Sequence, residues 1–309
     1  MITSVFKKST PLNFALVVIL MLVFFSMHQI QDLSWLSSGF LILKKGATFI
    51  ILLASVLLID FIARRNALSK ESSYTIFFYF LFLLFFSSVF DNINLIISNF
   101  FILLALRRLI SLQSLKASKE KIFDASLWIF LATLFHFWSI IFILLVFISI
   151  ITHVSRDYRN WILPFIALFI VGILFLIYAT VFDLDVIEYI IKSVQINFEI
   201  DYFTNSYQNG ALSIYATIAL FFLVSMFNSL SNRPQLLHTS FNKIIISFFI
   251  GALIFLVSSN KSNELLLFTF APLAVMATAH IEIPQEKLTQ EIVMYVLIAC
   301  SLFAFFSQL

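Results

Sequence analysis

The feature of this chain that most restricts its fold is a succession of long apolar runs from one end to the other. An apolar stretch of about 18 residues or more can cross a bilayer as a helix. Only 11% of the residues are charged, against roughly 25% in soluble domains, so the chain cannot cover a water-facing surface. The sequence predicts a single all-α polytopic membrane domain over residues 1–309 with about eleven transmembrane or re-entrant segments. The predicted segments are residues 12–28, 46–63, 73–90, 95–113, 124–137, 138–152, 161–182, 211–230, 243–258, 265–280 and 291–308.

The fifth and sixth segments raise a question of topology, because together they read either as a short helical hairpin at residues 124–152 or as one long tilted helix. Each is about 14 residues, or about 21 Å as a helix, against a hydrocarbon core of about 30 Å. The tendency of lysine and arginine to stay in cytoplasmic loops favours two segments. Whether the hairpin is re-entrant or makes two full spans stays open at this stage.

With two segments and a cytoplasmic N-terminus, the C-terminus lies outside and most of the 19 lysines and arginines lie inside. The outer loops then carry only Lys44, Lys45, Lys192 and Lys261. Merging the hairpin into one span flips every later loop and makes the distribution of cations more even. The charge distribution therefore predicts a multi-pass membrane protein in this orientation.

The longest predicted outer loop covers residues 183–210. Residues 186–194 within it have an amphipathic pattern that predicts a short helix lying along the membrane surface. The same loop supplies the acids Glu199 and Asp201 to the outer face.

Composition and motifs argue against several classes of function. Nucleic-acid binding requires a basic, water-exposed surface with stacking aromatics, and we predict no nucleic-acid partner. The single cysteine, Cys300, lies inside the last apolar run, and the histidines show no metal-ligand spacing, so we predict no metal site and no cofactor. No phosphate-binding glycine loop or known hydrolase motif is present.

Four stretches of the chain carry a family resemblance. They are ITSVFKKSTPLN, FDASLWIFLATLFHFWSIIFILLVFISII, RDYRNWILPFIAL and SSNKSNELLLFTFAPLAVM. In this order they resemble a family of uncharacterised polytopic inner-membrane proteins of Bacteroidota, a domain of unknown function. The resemblance implies a location in the cell inner membrane and a membrane topology, and it implies no reaction. Lys261 and Glu264 match the lysine, polar turn and glutamate of that family's late block, whereas Phe137-Trp138-Ser139 replaces its aromatic-proline turn.

The polar stretch SSNKSNE at residues 258–264 interrupts two apolar runs and is predicted to be an outer turn. Lys261 and Glu264 are three residues apart and suited to pair with each other. A polar turn held this close to the membrane is also suited to bind a phosphate or sugar headgroup, or a protein partner. Both interpretations stay open, and in the second Lys261 and Glu264 are substrate-binding residues.

A second candidate site lies in the first outer loop, which contains Asp32 and then Lys44 and Lys45. Multi-span glycosyltransferases that use polyprenyl-phosphate sugars commonly have a catalytic aspartate there. By this comparison Asp32 is the general base on the acceptor hydroxyl, and the two lysines bind the phosphate as point charges. The alternative is an ordinary solvated loop.

The cytoplasmic loops are basic, and Arg107-Arg108 and Arg156 with Arg159 flank the short hairpin on the same predicted side. They form either a basic patch suited to phosphate or anionic lipid, or only the usual topological signal. Asp60 precedes Arg64 by four residues, which predicts a local ion pair.

The leading functional hypothesis is a protein of cell-envelope biogenesis that handles a polyprenyl-phosphate-linked substrate, in the manner of a glycosyltransferase. Its partners would be membrane lipids, including the polyprenyl phosphate. Two alternatives remain: a non-catalytic membrane subunit of an envelope or secretion complex, which would have a membrane-protein partner, and a transporter of small solutes or lipids.

Overall fold

The computed structural model describes residues 2–196, 198, 205–259, 261–284 and 286–309. Within these residues the chain is helical, with one isolated antiparallel bridge between Ile196 and Ser258 and no β-strand. The thirteen α-helices of the described residues are α1 Ile2–Phe6, α2 Pro11–Gln29, α3 Gly39–Arg65, α4 Tyr74–Leu84, α5 Ile93–Ile110, α6 Ser118–Phe135, α7 Ile143–His153, α8 Arg159–Val181, α9 Val186–Val194, α10 Ser206–Leu230, α11 Gln235–Val257, α12 Leu267–Ile281 and α13 Lys287–Ser307.

Several helices begin at polar residues that bind the free N–H groups of the first turn. The Thr10 hydroxyl accepts a hydrogen bond from the Asn13 amide, directly before Pro11 at the start of α2. Asn92 caps α5 in the same way through the amide of Leu95. Such caps fix where each apolar run becomes helical, because the first four N–H groups have no partner inside the helix.

Eight helices in the described part of the chain are long and apolar enough to cross a membrane. Each of the eleven predicted segments overlaps one α-helix, and α4 and the stretch 137–153 are shorter apolar elements. The protein is thus an all-helical, multi-pass membrane protein. The number of spans and the orientation of the termini stay predictions.

The centre of the bundle is formed by α4 and α12. All eleven residues of α4 are buried, and 89% of the span that contains α12 is buried. The two helices are joined by a hydrogen bond of 3.1 Å between the hydroxyls of Thr75 and Thr278. Phe86, just after α4, stacks on Phe270 of α12 with ring centroids 6.1 Å apart. Most of the remaining helices expose large apolar side chains, as α8 does along most of its length.

The predicted hairpin at residues 124–152 contains two helices, α6 and α7, separated by a break. His136 is extended, with φ −144° and ψ 108°, and a 3₁₀ turn at Phe137–Phe142 leads into α7. The Ser98 hydroxyl binds both the Ala132 carbonyl (3.1 Å) and the Ser139 hydroxyl (2.7 Å). These bonds satisfy polar groups beside the break, which a lipid environment would leave without partners.

The predicted outer loop at residues 183–210 contains α9 at Val186–Val194, where the sequence predicts a helix. Its N-cap is Asp185, whose carboxylate accepts from the amides of Ile187 (2.9 Å) and Glu188 (3.1 Å). Glu199 and Asp201 of this loop lie outside the described residues, as does Asn260 of the SSNKSNE stretch. The placement of α9 along a membrane surface stays a prediction.

Candidate functional site

Asp32, the predicted general base, is the N-cap of a 3₁₀ turn at Leu33–Ser37. Its two carboxylate oxygens accept hydrogen bonds of 2.9 Å from the backbone amide and the hydroxyl of Ser34. These bonds, with a smaller contribution from the charge of Lys45, hold the pKa of Asp32 below its usual range. The side chain is exposed, so the geometry shows an ionised capping residue. Its catalytic role stays a prediction.

The predicted phosphate-binding lysines, Lys44 and Lys45, have different surroundings. Lys44 is exposed in the first turns of α3. The Lys45 ammonium lies 2.5 Å from a carboxylate oxygen of Asp91, at the start of the chain segment that leads into α5. Asp91 was not among the predicted site residues.

Glu264 and Lys261 lie in the turn between α11 and α12. The Glu264 carboxylate accepts a 2.9 Å hydrogen bond from the side-chain amide of Asn92. Because Asn92 follows Asp91, the two predicted outer sites meet at this pair of neighbouring residues. Lys261 is half-buried and has contacts of its own. The substrate-binding roles of Lys44, Lys45, Lys261 and Glu264 stay predictions.

Asp91 is a junction of three chain segments. Besides Lys45, its carboxylate binds His28 (2.9 Å) and the side-chain amide of Gln29 (3.2 Å), both at the end of α2. Burial opposes ionisation of Asp91, but the hydrogen bonds from His28, Lys45 and Gln29 outweigh it and hold its pKa below the usual range. Nothing local in the sequence indicates this junction, because its partners are 46 to 63 positions away.

The Asp91 junction gives a pH-dependent prediction. The lowered pKa means that the folded protein binds fewer protons than the unfolded chain, whose aspartate titrates near 3.8. The stabilisation is therefore complete above about pH 4 and is lost as the pH falls further. We expect Asp91→Asn to destabilise the protein by about 1 kcal/mol at pH 7, and the difference to shrink below pH 4. Melting temperatures in detergent from pH 7 to pH 3 measure this, and a constant difference would contradict it.

A basic cavity of about 630 Å³ lies at the opposite end of α3. Its walls are the end of α3, the end of α5, the loop between α5 and α6, the beginning of α6 and the beginning of α11. The cavity is lined by Phe61, Arg65, Asn66, Arg107, Arg108, Ser111, Gln113, Ser114, Lys116, Lys121, Leu236 and Leu237. Five of these residues are cationic and none is acidic. We call it the basic pocket.

Two contacts hold the walls of the basic pocket together. The side-chain amide of Gln113 donates to the Leu236 carbonyl, and its oxygen accepts from the Ser240 hydroxyl at 2.9 Å. Through these two hydrogen bonds Gln113 connects the loop after α5 to the first turns of α11. A pocket that is already assembled loses less entropy when it binds a ligand.

Two of the five cations of the basic pocket are engaged within the protein. Arg108 pairs with Asp124 of α6 at 2.8 Å. Lys121 donates to the Ser111 carbonyl (2.6 Å) and the Ser114 hydroxyl (2.8 Å). Burial, together with the positive charges of Arg108 and Lys116, lowers the pKa of Lys121. Arg108, Lys116 and Lys121 therefore lie close enough for their positive charges to repel one another.

Arg65 and Arg107 are both placed against the ring of Phe61. Their guanidinium carbons lie 5.5 Å and 5.0 Å from its centroid. Within the described part of the chain, neither guanidinium has a hydrogen-bond or ion-pair partner. Stacking orients a guanidinium and leaves its in-plane N–H groups available, and these match phosphate oxygens in pairs.

Lys116 lies in a tight loop between two residues with left-handed backbone conformations, Leu115 (φ 56°) and Ala117 (φ 50°). Each such residue with a side chain costs about 1 kcal/mol or more. The loop carries Lys116 to the lining of the basic pocket. Strained backbone of this kind is common at binding sites, where the surrounding structure holds it in place.

The sequence pointed to Arg107 and Arg108 as part of a basic patch and grouped them with Arg156 and Arg159. The basic pocket instead combines them with Arg65, Lys116 and Lys121. Among the described residues no cluster of three histidine, cysteine, aspartate or glutamate side chains is suited to a metal ion. The chemistry that this arrangement supports is binding of an anion that carries phosphate.

Comparison with known proteins gives one match. No curated protein and no solved structure is similar to this chain at a significant level. The match is to the Family of unknown function (DUF6427), and it covers residues 5–309. Because it extends over nearly the whole chain, the protein belongs to this family of unknown function.

Proposed function

We propose that this protein is an inner-membrane protein of cell-envelope biogenesis that binds a phosphate-bearing ligand in the basic pocket. The observation that supports phosphate binding most directly is the pair of guanidinium groups, Arg65 and Arg107. Both are held against Phe61 beside a cavity whose lining residues include no acid. Lys116 adds a third positive charge to the same cavity.

The size of the basic pocket agrees with a ligand larger than one phosphate ion. At about 630 Å³ it falls in the range of small-molecule sites, about 300–1,000 Å³. Phe61, Leu236 and Leu237 give it apolar walls, and the cations provide the polar groups. This combination suits a molecule with a phosphate at one end and a less polar part at the other.

The glycosyltransferase hypothesis places the chemistry on the other side of the molecule. Asp32 precedes α3, Arg65 ends it, and a helix of 27 residues is about 40 Å long. A ligand phosphate in the basic pocket is therefore beyond the reach of Asp32. The proposal retains the phosphate-bearing substrate of that hypothesis and makes the basic pocket its binding site, while a reaction at Asp32 would be a separate event.

The test is the thermal stability of the full-length protein in detergent during titration with inorganic phosphate. A ligand that binds only the folded state raises the melting temperature with its concentration. We expect phosphate to raise it more than sodium chloride of equal ionic strength does. Arg107→Gln removes charge-assisted hydrogen bonds worth about 1.5–3 kcal/mol and should weaken binding about 10- to 100-fold.

The matched control for this titration is Lys7→Gln. Lys7 is an exposed cation on the same predicted face and does not line the basic pocket, so this variant should respond to phosphate as the natural protein does. Equal responses to phosphate and chloride, or equal losses in Arg107→Gln and Lys7→Gln, would overturn the proposal. The non-catalytic subunit hypothesis would then become the better guide to experiment.

A further inference from the structure

We infer that the ligand of the basic pocket is a lipid phosphomonoester, which reaches the pocket from the bilayer leaflet on the predicted cytoplasmic side. This inference rests on the proposed function and specifies its ligand. Three independent features of the pocket carry it: the number of unpaired cations, the depth of the pocket, and the exposed apolar side chains beside it.

The number of unpaired cations favours a monoester. Arg108 is paired with Asp124, and Lys121 is bound to Ser111 and Ser114. Among the described residues no acidic side chain pairs with Arg65, Arg107 or Lys116, so these three cations remain to contact the ligand. A phosphomonoester carries a charge of about −1.5 to −2 at pH 7, whereas a phosphodiester has one ionisable oxygen. The more highly charged group compensates more of these three cations and offers more oxygens to the two guanidinium groups.

The basic pocket lies at the ends of two candidate spans, which is where lipid headgroups are expected. Arg65 is the last residue of α3, and Arg107 lies in the last turn of α5. Both helices are candidate membrane spans. Cations at the end of a span lie where the hydrocarbon gives way to the polar headgroups, and basic pockets there are suited to phosphorylated lipids.

Apolar side chains are exposed beside the cations. Leu236 lines the basic pocket and is 77% exposed, and Leu115, next to Lys116, is 59% exposed. A fully water-soluble ligand would gain nothing from exposed leucines at this position. The acyl chains of a lipid whose phosphate lies in the pocket would cover them and remove their apolar surface from water.

The experiment is native mass spectrometry of the full-length protein in detergent with three probes. Phosphatidic acid is a lipid phosphomonoester, phosphatidylglycerol with the same acyl chains is a lipid phosphodiester, and glycerol 3-phosphate is a soluble monoester. We expect phosphatidic acid to bind at least about tenfold more tightly than phosphatidylglycerol, as the loss of one charge-assisted hydrogen bond implies. Glycerol 3-phosphate should bind more weakly than phosphatidic acid.

Two substitutions separate the parts of the inference. Lys116→Gln should reduce the preference for phosphatidic acid over phosphatidylglycerol, because it removes one of the three available charges. Leu236→Ser should weaken binding of phosphatidic acid, because the apolar contact to the acyl chains is lost. Binding of glycerol 3-phosphate should not change, because the backbone carbonyl of residue 236 still accepts the hydrogen bond from Gln113. Lys7→Gln is the control and should alter none of the three affinities. Lowering the pH from 7.5 to 5.5 should weaken binding of the two monoesters, phosphatidic acid and glycerol 3-phosphate, and leave binding of phosphatidylglycerol unchanged, since the second ionisation of a phosphomonoester lies near pH ~6.

Each contrary result has a distinct meaning. Equal affinities for the two lipids would overturn the monoester assignment. Glycerol 3-phosphate binding as tightly as phosphatidic acid would overturn the lipid origin of the ligand, although phosphate binding would stand. If none of the probes bound and inorganic phosphate also failed to stabilise the protein, the proposed function would fall together with this inference.

Discussion

Replacing Gly251 by leucine is expected to force α11 away from α12 and to destabilise the whole bundle. A side chain at this position would meet Thr269 and Phe268 of α12: its Cβ would lie 2.9 Å from the Thr269 methyl carbon and 3.0 Å and 3.1 Å from the backbone carbon and oxygen of Phe268. The end of a flexible side chain can rotate out of the way, but backbone atoms can move only if the helix itself shifts. Small residues allow close approach of this kind between membrane helices.

The cost of Gly251→Leu should be about 3 kcal/mol or more, at the upper end of the range for overpacked cores. The affected helix is the buried centre of the molecule, and Thr269 also holds the Tyr215 hydroxyl at 2.6 Å. Gly172 of α8 provides the matched control, because a Cβ there meets no atom within 4 Å. Gly172→Leu should be neutral or slightly stabilising, since leucine favours helix more than glycine does.

Melting temperature and the monodisperse fraction of each variant in detergent measure the difference between the two glycine positions. Similar losses for Gly251→Leu and Gly172→Leu would show that α11 and α12 are not packed as closely as described. A loss confined to Gly251→Leu would support the central position of α12.

Much of the helical architecture could be predicted from the sequence because a bilayer imposes a simple rule on it. Every crossing segment must be apolar and long, so the eleven predicted runs all overlap helices. The rule does not distinguish helices that face lipid from helices that face protein. The run containing α4 and the run containing α8 are both strongly apolar, yet α4 is wholly buried and α8 is largely exposed. Their difference depends on which helices pack together, and hydropathy carries no information on that.

The sites follow the same division between local and distant contacts. The ion pair of Asp60 and Arg64 could be predicted, because residues four apart lie on one face of a helix, and the structure has it at 2.5 Å. The approach of Arg65 and Arg107 to Phe61 could not, because Arg107 is more than forty positions away and reaches Phe61 only through the packing of α3 against α5. For the same reason, the sequence directed attention to Asp32 and the outer lysines, which are conspicuous in their loops, and not to Asp91.

Replacing Arg64 by alanine should destabilise the protein, whereas replacing its neighbour Arg65 by alanine should remove the response to phosphate with little effect on stability. Arg64 pairs with the fully buried carboxylate of Asp60, stacks on Phe14 at 5.2 Å and donates to the Ser9 hydroxyl at 2.9 Å. Arg64→Ala therefore leaves a buried carboxylate without its counter-charge. Removing one partner of a buried pair costs about 3–5 kcal/mol. Because Asp60 is buried but Arg64 is partly exposed, we expect a loss at the lower end of this range, about 3 kcal/mol.

Arg65→Ala should change stability by no more than about 0.5 kcal/mol, as most surface substitutions do, and should instead abolish the response to phosphate. The double variant Asp60→Leu/Arg64→Leu should recover much of the stability lost in Arg64→Ala, because it removes the buried charge together with its partner. Melting temperatures with and without phosphate measure both effects in one experiment.

If Arg65→Ala were as destabilising as Arg64→Ala, Arg65 would be part of the framework of the fold and the basic pocket would lose one of its two oriented guanidinium groups. If the losses separate as expected, two adjacent arginines at the end of one helix serve different purposes: Arg64 neutralises a buried acid, and Arg65 is left free to meet a ligand.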